Sequence, residues 1–267
     1  MKAENLYLTP LLHMFYSWTE LLTMALIMTL GSVVQGAVGF ASGLLSVPLL
    51  VTSGFSIPEA ATINLTSTSV QNVIGSWRLW SELEPRALMR PILLRWTGIP
   101  LGAYALTMAH DLQPAQAKQL IGEVLLLVVV ALMTIRPKPR PKLPIGWEVL
   151  AMSSSGFMLG FASIGGASLA LYVNALTWTT NRSRAFLFFC SVSGVPLAGF
   201  LLWWNFGNLV LTPVIATLFI MPLVLSGLWL GMHWGNQLDK WLFRRLTFGL
   251  LLALAVASII GPLLRGS

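Results

Sequence analysis

The chain has 267 residues, of which 56% are hydrophobic and only 9% are charged, whereas an ordinary soluble domain carries about 25% charged residues. This composition excludes an ordinary soluble domain and is typical of a protein embedded in a lipid bilayer. The net charge of +7 and the pI near 10.1 do not indicate a nucleic-acid partner, because Lys and Arg accumulate in the cytoplasmic loops of membrane proteins.

Apolar stretches long enough to cross or enter a bilayer follow one another along the chain. The predicted segments are 17–38, 43–53, 59–80, 88–108, 114–135, 146–162, 166–177, 183–204, 209–232 and 240–262. A spanning helix needs about 20 mostly apolar residues. At 1.5 Å per residue, 43–53 and 166–177 reach only about 16–18 Å, half of a hydrocarbon core of roughly 30 Å. We interpret these two as half-helices, and the first segment as a span rather than a removed signal peptide.

Basic residues are distributed unevenly over the two sides of this arrangement. If the 78–90 loop is cytoplasmic, alternation of the segments places 136–144, 178–184 and 233–245 on the same side. These four stretches hold 12 of the 16 Lys and Arg residues, against three on the other side and Arg95 within a span. The positive-inside rule therefore predicts a multi-pass protein of the inner membrane, with both termini outside and a cytoplasmic linker.

The sequence resembles itself when it is shifted by 124 residues. The shift aligns, without a gap, Gly36 with Gly160, Ala61 with Ala185, Ser67 with Ser191, Ser69 with Ser193 and Gly75 with Gly199. An odd number of net crossings per half inverts the second copy relative to the first, as in many secondary transporters. We predict an all-α polytopic membrane protein with two inverted repeats of about five segments each, each containing a glycine-broken half-helix. The first repeat is 1–135, the Pro/basic linker is 136–144, and the second repeat is 145–267.

A cluster of glycines interrupts each half at the equivalent position. The first lies in 31–48 and the second in 156–168. Glycine permits a backbone turn and close approach by a ligand, and the short helix that follows begins with free N–H groups and a positive dipole end. In hydrocarbon an anion can satisfy these groups. Close packing of neighbouring helices is the alternative explanation, but two breaks at equivalent positions favour a ligand site.

One glycine motif has a recognisable form. The run Gly36-x2-Gly39-Phe40-Ala41-Ser42-Gly43 leads to Pro48, and an echo of it occupies 160–166. Together with the chain length and the basic linker, it is similar to the sulfite exporter TauE/SafE family of permeases over essentially the whole chain. This resemblance implies transport of small sulfur-containing or organic anions such as sulfite or sulfonates. Tyr172 stands where Pro48 does in the first half, so the two half-helices need not have equal roles.

Polar residues around the breaks are candidates for contact with an anion. Segment 59–80 carries seven amide and hydroxyl side chains between Asn64 and Asn72, more than one neighbouring helix can engage, although interhelical hydrogen bonds explain any single one. Inverted repeats bring corresponding breaks together near the midplane, where two half-helix ends could bind a monoanion without a fixed cation. The expected binding residues are Gly39, Ser42, Gly43, Asn64, Ser67, Arg95, Gly165, Gly166 and Ser191.

Two ionisable residues lie within the predicted spans. Arg95 could attract the anion from the cytoplasmic side or snorkel to the membrane interface. Glu123, about nine residues into its helix, could carry a coupled proton or pack between helices.

Three classes of function compete. The sequence favours a secondary transporter, with export of a small anion by alternating access around a midplane site; the alternative on the same scaffold is an uptake permease or channel. An intramembrane enzyme is not expected, because no nucleophile with a positioned base and no Walker-type loop is present. The single cysteine, Cys190, and three scattered histidines offer no metal-ligand spacing, so we expect no metal or cofactor. The expected partners are the anion and the lipid bilayer, with a second copy of the chain as a further candidate.

Overall fold

The computed structural model describes residues 16–135 and 139–235, together with Leu252 and Val256. The described residues form helices and contain no strand. The helices are α1 (Trp18–Val38), α2 (Ser42–Thr52), α3 (Ile57–Arg78), α4 (Pro85–His110), α5 (Pro114–Thr134), α6 (Ile145–Ala162), α7 (Gly166–Asn174), α8 (Thr180–Phe206) and α9 (Leu211–Gly235). Short 3-10 turns at Trp80–Glu82 and Gly207–Val210 precede α4 and α9. The predicted bounds of the first nine segments are correct to within three residues, and the segment predicted at 240–262 lies largely outside the described residues.

Local sequence sets several of the helix starts. Ser17 caps α1 and Ser56 caps α3, each in a capping box whose glutamate returns a bond to the cap backbone. Thr179 accepts a hydrogen bond from the backbone N–H of Arg182 at the start of α8. These caps satisfy N–H groups that the first helical turn leaves without partners.

At each break, the preceding helix ends at a residue with a left-handed backbone conformation, but only one of these two residues is a glycine. Gly39 ends α1 with φ +96°, as a left-handed position favours. Ser163 ends α6 with φ +58°, although the glycines of this cluster, Gly165 and Gly166 among them, were expected to permit the turn. Those two glycines instead allow close backbone contact: a β-carbon at Gly166 would lie 2.6 Å from the Phe40 carbonyl oxygen.

Glycines also bring long helices together in two places. Helix α1 packs along α9, and α4 packs along α6. A β-carbon at Gly36 would lie 2.9 Å from the backbone nitrogen of Met232, and one at Gly160 would lie 2.8 Å from that of Ala103. Close helix packing, the alternative explanation for the glycine clusters, is therefore correct for Gly36 and Gly160.

The stretches 78–90 and 178–184, the described part of the linker (139–144) and the end of α9 lie at one end of the bundle, which we call the basic end. The contacts that join them are Arg182 Nη2 to Glu84 (2.9 Å), Arg90 Nη2 to Glu148 (3.4 Å), Arg140 N to the Ala175 carbonyl (2.9 Å) and Arg78 Nη1 to Met232 Sδ (3.9 Å). At the start of α1, the Tyr16 hydroxyl donates to Glu59 at 3.1 Å. Helix α3 begins beside Glu59 and ends at Arg78, so the start of α1 lies at the end of the bundle opposite to the basic end.

The outer surface of the bundle is apolar. Three helical stretches among the described residues are long and apolar enough to cross a membrane: Trp18–Ala37, Pro114–Thr134 and Asn181–His233, the last comprising α8 and most of α9. On α1, Leu22, Leu26 and Leu30 follow one another at helical spacing and are all more than half exposed. A row of exposed leucines suits lipid as the surrounding solvent.

Candidate functional site

A small cavity lies where the two breaks meet. Its walls come from the end of α1, the starts of α2 and α7, the polar face of α3, one residue of α4 and the middle of α8. The cavity volume is about 30 Å³. This is enough for one or two water molecules or a small ion. The structure brings seven of the nine expected binding residues to this cavity: Gly39, Gly43, Asn64, Arg95, Gly165, Gly166 and Ser191.

Both half-helices begin at the cavity. Ala41 precedes α2 and Gly165 precedes α7, and neither supplies a side-chain cap to the helix that follows. The N–H groups of the first turn of a helix have no partner within that helix, and each start carries roughly half a positive charge. The cavity therefore lies at the positive ends of two helices, one from each half of the chain.

Arg95 places a full positive charge in the same cavity. The residue is only 1% exposed, and its Nη1 donates to the Cys190 carbonyl of α8. Its Nε is buried without a hydrogen-bond partner. Its Nη2 points toward the second break, 3.1 Å from the position that a β-carbon at Gly165 would take. Arg95 forms no ion pair with any described residue, and this burial rules out snorkelling to the interface.

A model of the sulfite exporter TauE/SafE family matches residues 24–258. The chain belongs to the TauE/SafE family. The match covers nearly the whole chain and confirms the resemblance recognised in the glycine motif. Neither the curated proteins nor the solved structures contain a significant match. Membership identifies an integral membrane transport protein of a family that handles sulfite or related anions.

Asn64 links the two breaks of this TauE/SafE protein. From the middle of α3, its Nδ2 donates to the Ser163 carbonyl at 2.7 Å, while its Oδ1 has no partner. On the other side of the second break, the Ser155 hydroxyl donates to the Gly165 carbonyl at 2.7 Å. These two bonds hold the turn before α7 in place, and the Ser163 hydroxyl remains without a partner at the cavity.

Two expected binding residues lie outside the cavity. Ser42 is fully buried beside it, with an unpartnered hydroxyl, and Ser67 is fully buried on another face of α3, where its hydroxyl accepts from Gln71 at 2.9 Å. The proton-carrier candidate Glu123 is exposed on the outer face of α5 and does not line the cavity.

The cavity also contains polar residues beyond the nine expected binding residues. Thr68 and Asn72 line it together with Asn64, because residues four apart share one face of a helix. Gln35 joins them from α1, and its Nε2 donates to Asn72 Oδ1 at 3.0 Å.

The chemistry of the lining favours an anion. Of the described residues that form it, Arg95 is the one with a formal charge, and none is an Asp or Glu. Amide, hydroxyl and backbone groups supply the remaining polarity, beside apolar walls from Phe40, Leu44 and Leu159. Hydroxyls and amides can replace the hydration shell of an ion without holding it permanently.

Proposed function

We propose that this TauE/SafE protein is a multi-pass inner-membrane secondary transporter that exports a small anion such as sulfite or an organosulfonate by alternating access around the central cavity. The observation that carries the proposal is Arg95, a buried guanidinium with an unpartnered Nε and no ion pair among the described residues. A charge buried in a membrane protein is costly unless it is paired. A transported anion would supply the missing countercharge.

The size of the cavity favours a transporter over an open channel. A conducting pore needs a continuous water-filled path, whereas the cavity is a small local space of about 30 Å³. In alternating access, a change of conformation admits the ligand from one side of the membrane and releases it to the other.

An inverted repeat is part of the proposal, and the helix bounds support it. Shifted by 124 residues, α1 to α4 fall on α6 to α9 to within a few residues at nearly all their ends. The packing of α1 along α9 has its counterpart in the packing of α6 along α4. Helix α1 starts opposite the basic end, whereas α6 starts at the basic end, where Glu148 meets Arg90. We therefore propose repeats at 1–135 and 145–267, joined by a cytoplasmic linker at 136–144.

Substitution of Arg95 tests the site. In purified protein, sulfite should raise the melting temperature of the wild type, because a ligand that binds the native state stabilises it. Loss of a charge-assisted hydrogen bond costs about 1.5–3 kcal/mol, so Arg95→Gln should weaken sulfite binding roughly 10- to 150-fold. Arg95→Lys should retain part of the affinity, because it preserves the charge.

Arg90 provides the matched control. It lies on the same helix, five residues earlier, but its guanidinium is half exposed and pairs with Glu148. Arg90→Gln should therefore bind and transport sulfite as the wild type does in liposomes. Native sulfite affinity in folded Arg95→Gln protein would refute the proposed site.

A further inference from the structure

A second arginine, which pairs with no carboxylate among the described residues, lies beside the first break. Arg184 is on α8, one turn after its start, and is half-buried. Its Nη2 donates to the Gly36 carbonyl at 3.0 Å, and its Nε is buried without a hydrogen-bond partner. Its Cγ and Nε lie 3.7 and 4.0 Å from where a β-carbon at Gly39 would be. Gly39 itself lines the cavity, so Arg184 stands directly behind the cavity wall.

The surroundings of Arg184 differ from those of the arginines at the surface of the bundle. Arg90 pairs with Glu148, and Arg182 both pairs with Glu84 and lies over the Trp178 ring at 4.7 Å. Arg95 and Arg184 face inward and form no ion pair with any described residue. Arg90 and Arg182 thus pair with glutamates at the basic end, whereas Arg95 and Arg184, beside the two breaks, pair with no carboxylate of the described residues. The exposed Arg78 and Arg140 form no such pair either, so what distinguishes Arg95 and Arg184 is their position next to the cavity.

The two inward arginines form a sequence from the cavity toward the basic end. Arg95 contacts α8 at Cys190, and Arg184 is six residues nearer to the start of that helix, which is about 9 Å at 1.5 Å per residue. The start of α8 lies at the basic end, where Arg182 meets Glu84. An anion that enters the cavity from the basic end would pass the level of Arg184 before it reaches Arg95, and Arg184 lies next to Gly39 of the cavity wall.

We propose that Arg184 is a second anion-binding residue, which receives the anion between the central cavity and the basic end. This inference rests on the proposed function. The guanidinium exchanges its bond to the Gly36 carbonyl for a bond to the passing anion, and its unpartnered Nε provides a second donor on the same planar fork. With two successive cationic binding sites, each site can bind the anion weakly enough to release it to the next.

A purely structural role for Arg184 makes a different prediction. The Gly36 carbonyl lies in the last turn of α1, where a cation stabilises the negative end of the helix dipole. A residue with this role alone would affect stability, and its loss would reduce transport only as far as it reduces the amount of folded protein.

The experiment compares Arg184→Gln, Arg184→Lys and the control Arg182→Gln in the full chain, with sulfite as the probe. Melting temperature and equilibrium sulfite binding are measured in detergent, and initial transport rates are measured in liposomes. Arg184→Gln should bind sulfite nearly as the wild type does, because the central cavity is intact. Its transport rate should fall about tenfold or more, because local positive potential accelerates ion entry by that order. Arg184→Lys should recover part of the rate, and Arg182→Gln should match the wild type.

Two results would overturn this inference. One is transport by folded Arg184→Gln at the rate of Arg182→Gln. The other is an equal loss of melting temperature and of transport in Arg184→Gln and Arg184→Lys, which indicates a helix cap only. Either result leaves the proposed function standing if Arg95→Gln still weakens sulfite binding as predicted. A wild-type protein that neither binds nor moves sulfite would count against the proposed function, and this inference would fall with it.

Discussion

A methyl group added at Gly43, in the first break, would enter the hydrogen bond between Asn64 of α3 and Ser163 of the second break. A β-carbon built there lies 2.6 Å from Asn64 Nδ2 and 2.9 Å from the Ser163 carbonyl oxygen. These atoms are the donor and the acceptor of the 2.7 Å hydrogen bond between α3 and the second break. Ordinary contacts of a β-carbon begin near 3.4 Å, so Gly43→Ala should force this bond apart.

The expected loss of stability follows from those contacts. Leaving a buried amide and a buried carbonyl unpaired costs about 1–3 kcal/mol, and overpacking costs about 1–3 kcal/mol more. The sum of about 2–6 kcal/mol corresponds to a fall in melting temperature of roughly 5–20 °C for a chain of this size. Anion binding should be lost as well, because Gly43 lines the cavity. A larger side chain such as leucine should disturb the fold further, so alanine is the more informative substitution.

A double-mutant cycle in detergent tests this reasoning. Asn64→Ala removes the atom nearest to the new methyl group, so Gly43→Ala combined with Asn64→Ala should be less destabilised than the sum of the single changes, by at least about 1 kcal/mol. Gly146 serves as the control, because a β-carbon there meets nothing within 4 Å; Gly146→Ala should leave the melting temperature unchanged or raise it. The reasoning fails if Gly43→Ala melts with the wild type, or if the two changes add to within about 0.5 kcal/mol.

Two further predictions concern topology and proton coupling. In intact cells, Lys142→Cys in the linker should be shielded from an impermeant thiol reagent, whereas Asn205→Cys should be labelled. The buried native Cys190 sets the background labelling. Equal labelling of the two variants would contradict the inversion of the repeats. Because Glu123 is exposed on α5, away from the cavity, Glu123→Gln should leave sulfite binding unchanged; if its transport also keeps the pH dependence of the wild type, Glu123 is not the proton carrier.

The helices and the position of the breaks could be predicted because both depend on local sequence. Segment length and hydropathy define the helices, and the repeat places the second break 124 residues after the first. The left-handed turn at Ser163 could not be predicted, because serine rarely adopts positive φ. It is held by the bond from Asn64 to the Ser163 carbonyl, which joins residues 99 positions apart in the chain.

The inward orientation of Arg95 also depends on long-range packing. On α4, Arg95, Gly98 and Gly102 follow at spacings of three and four residues, so they share one helical face. A β-carbon at Gly98 would lie 2.7 Å from the backbone nitrogen of Phe157, and one at Gly102 would lie 2.7 Å from that of Phe161. Contact with α6 therefore turns this face toward the interior. Segment length alone allowed Arg95 to snorkel, whereas the glycine stripe on α4 was the signal that could have excluded it.

A fixed cation in the cavity changes the argument about release. The sequence predicted that the positive ends of two half-helices would bind a monoanion without a fixed cation. A full positive charge such as that of Arg95 holds the anion more tightly and slows its release. The groups around the cavity, however, come from both halves of the chain: Asn64 and Arg95 from the first, and Ser163 and Gly165 from the second. Their bonds to Ser163 and Cys190 cross between the halves. A relative movement of the halves must therefore separate donors that act together on the anion, and we expect this movement to lower the affinity as the cavity opens.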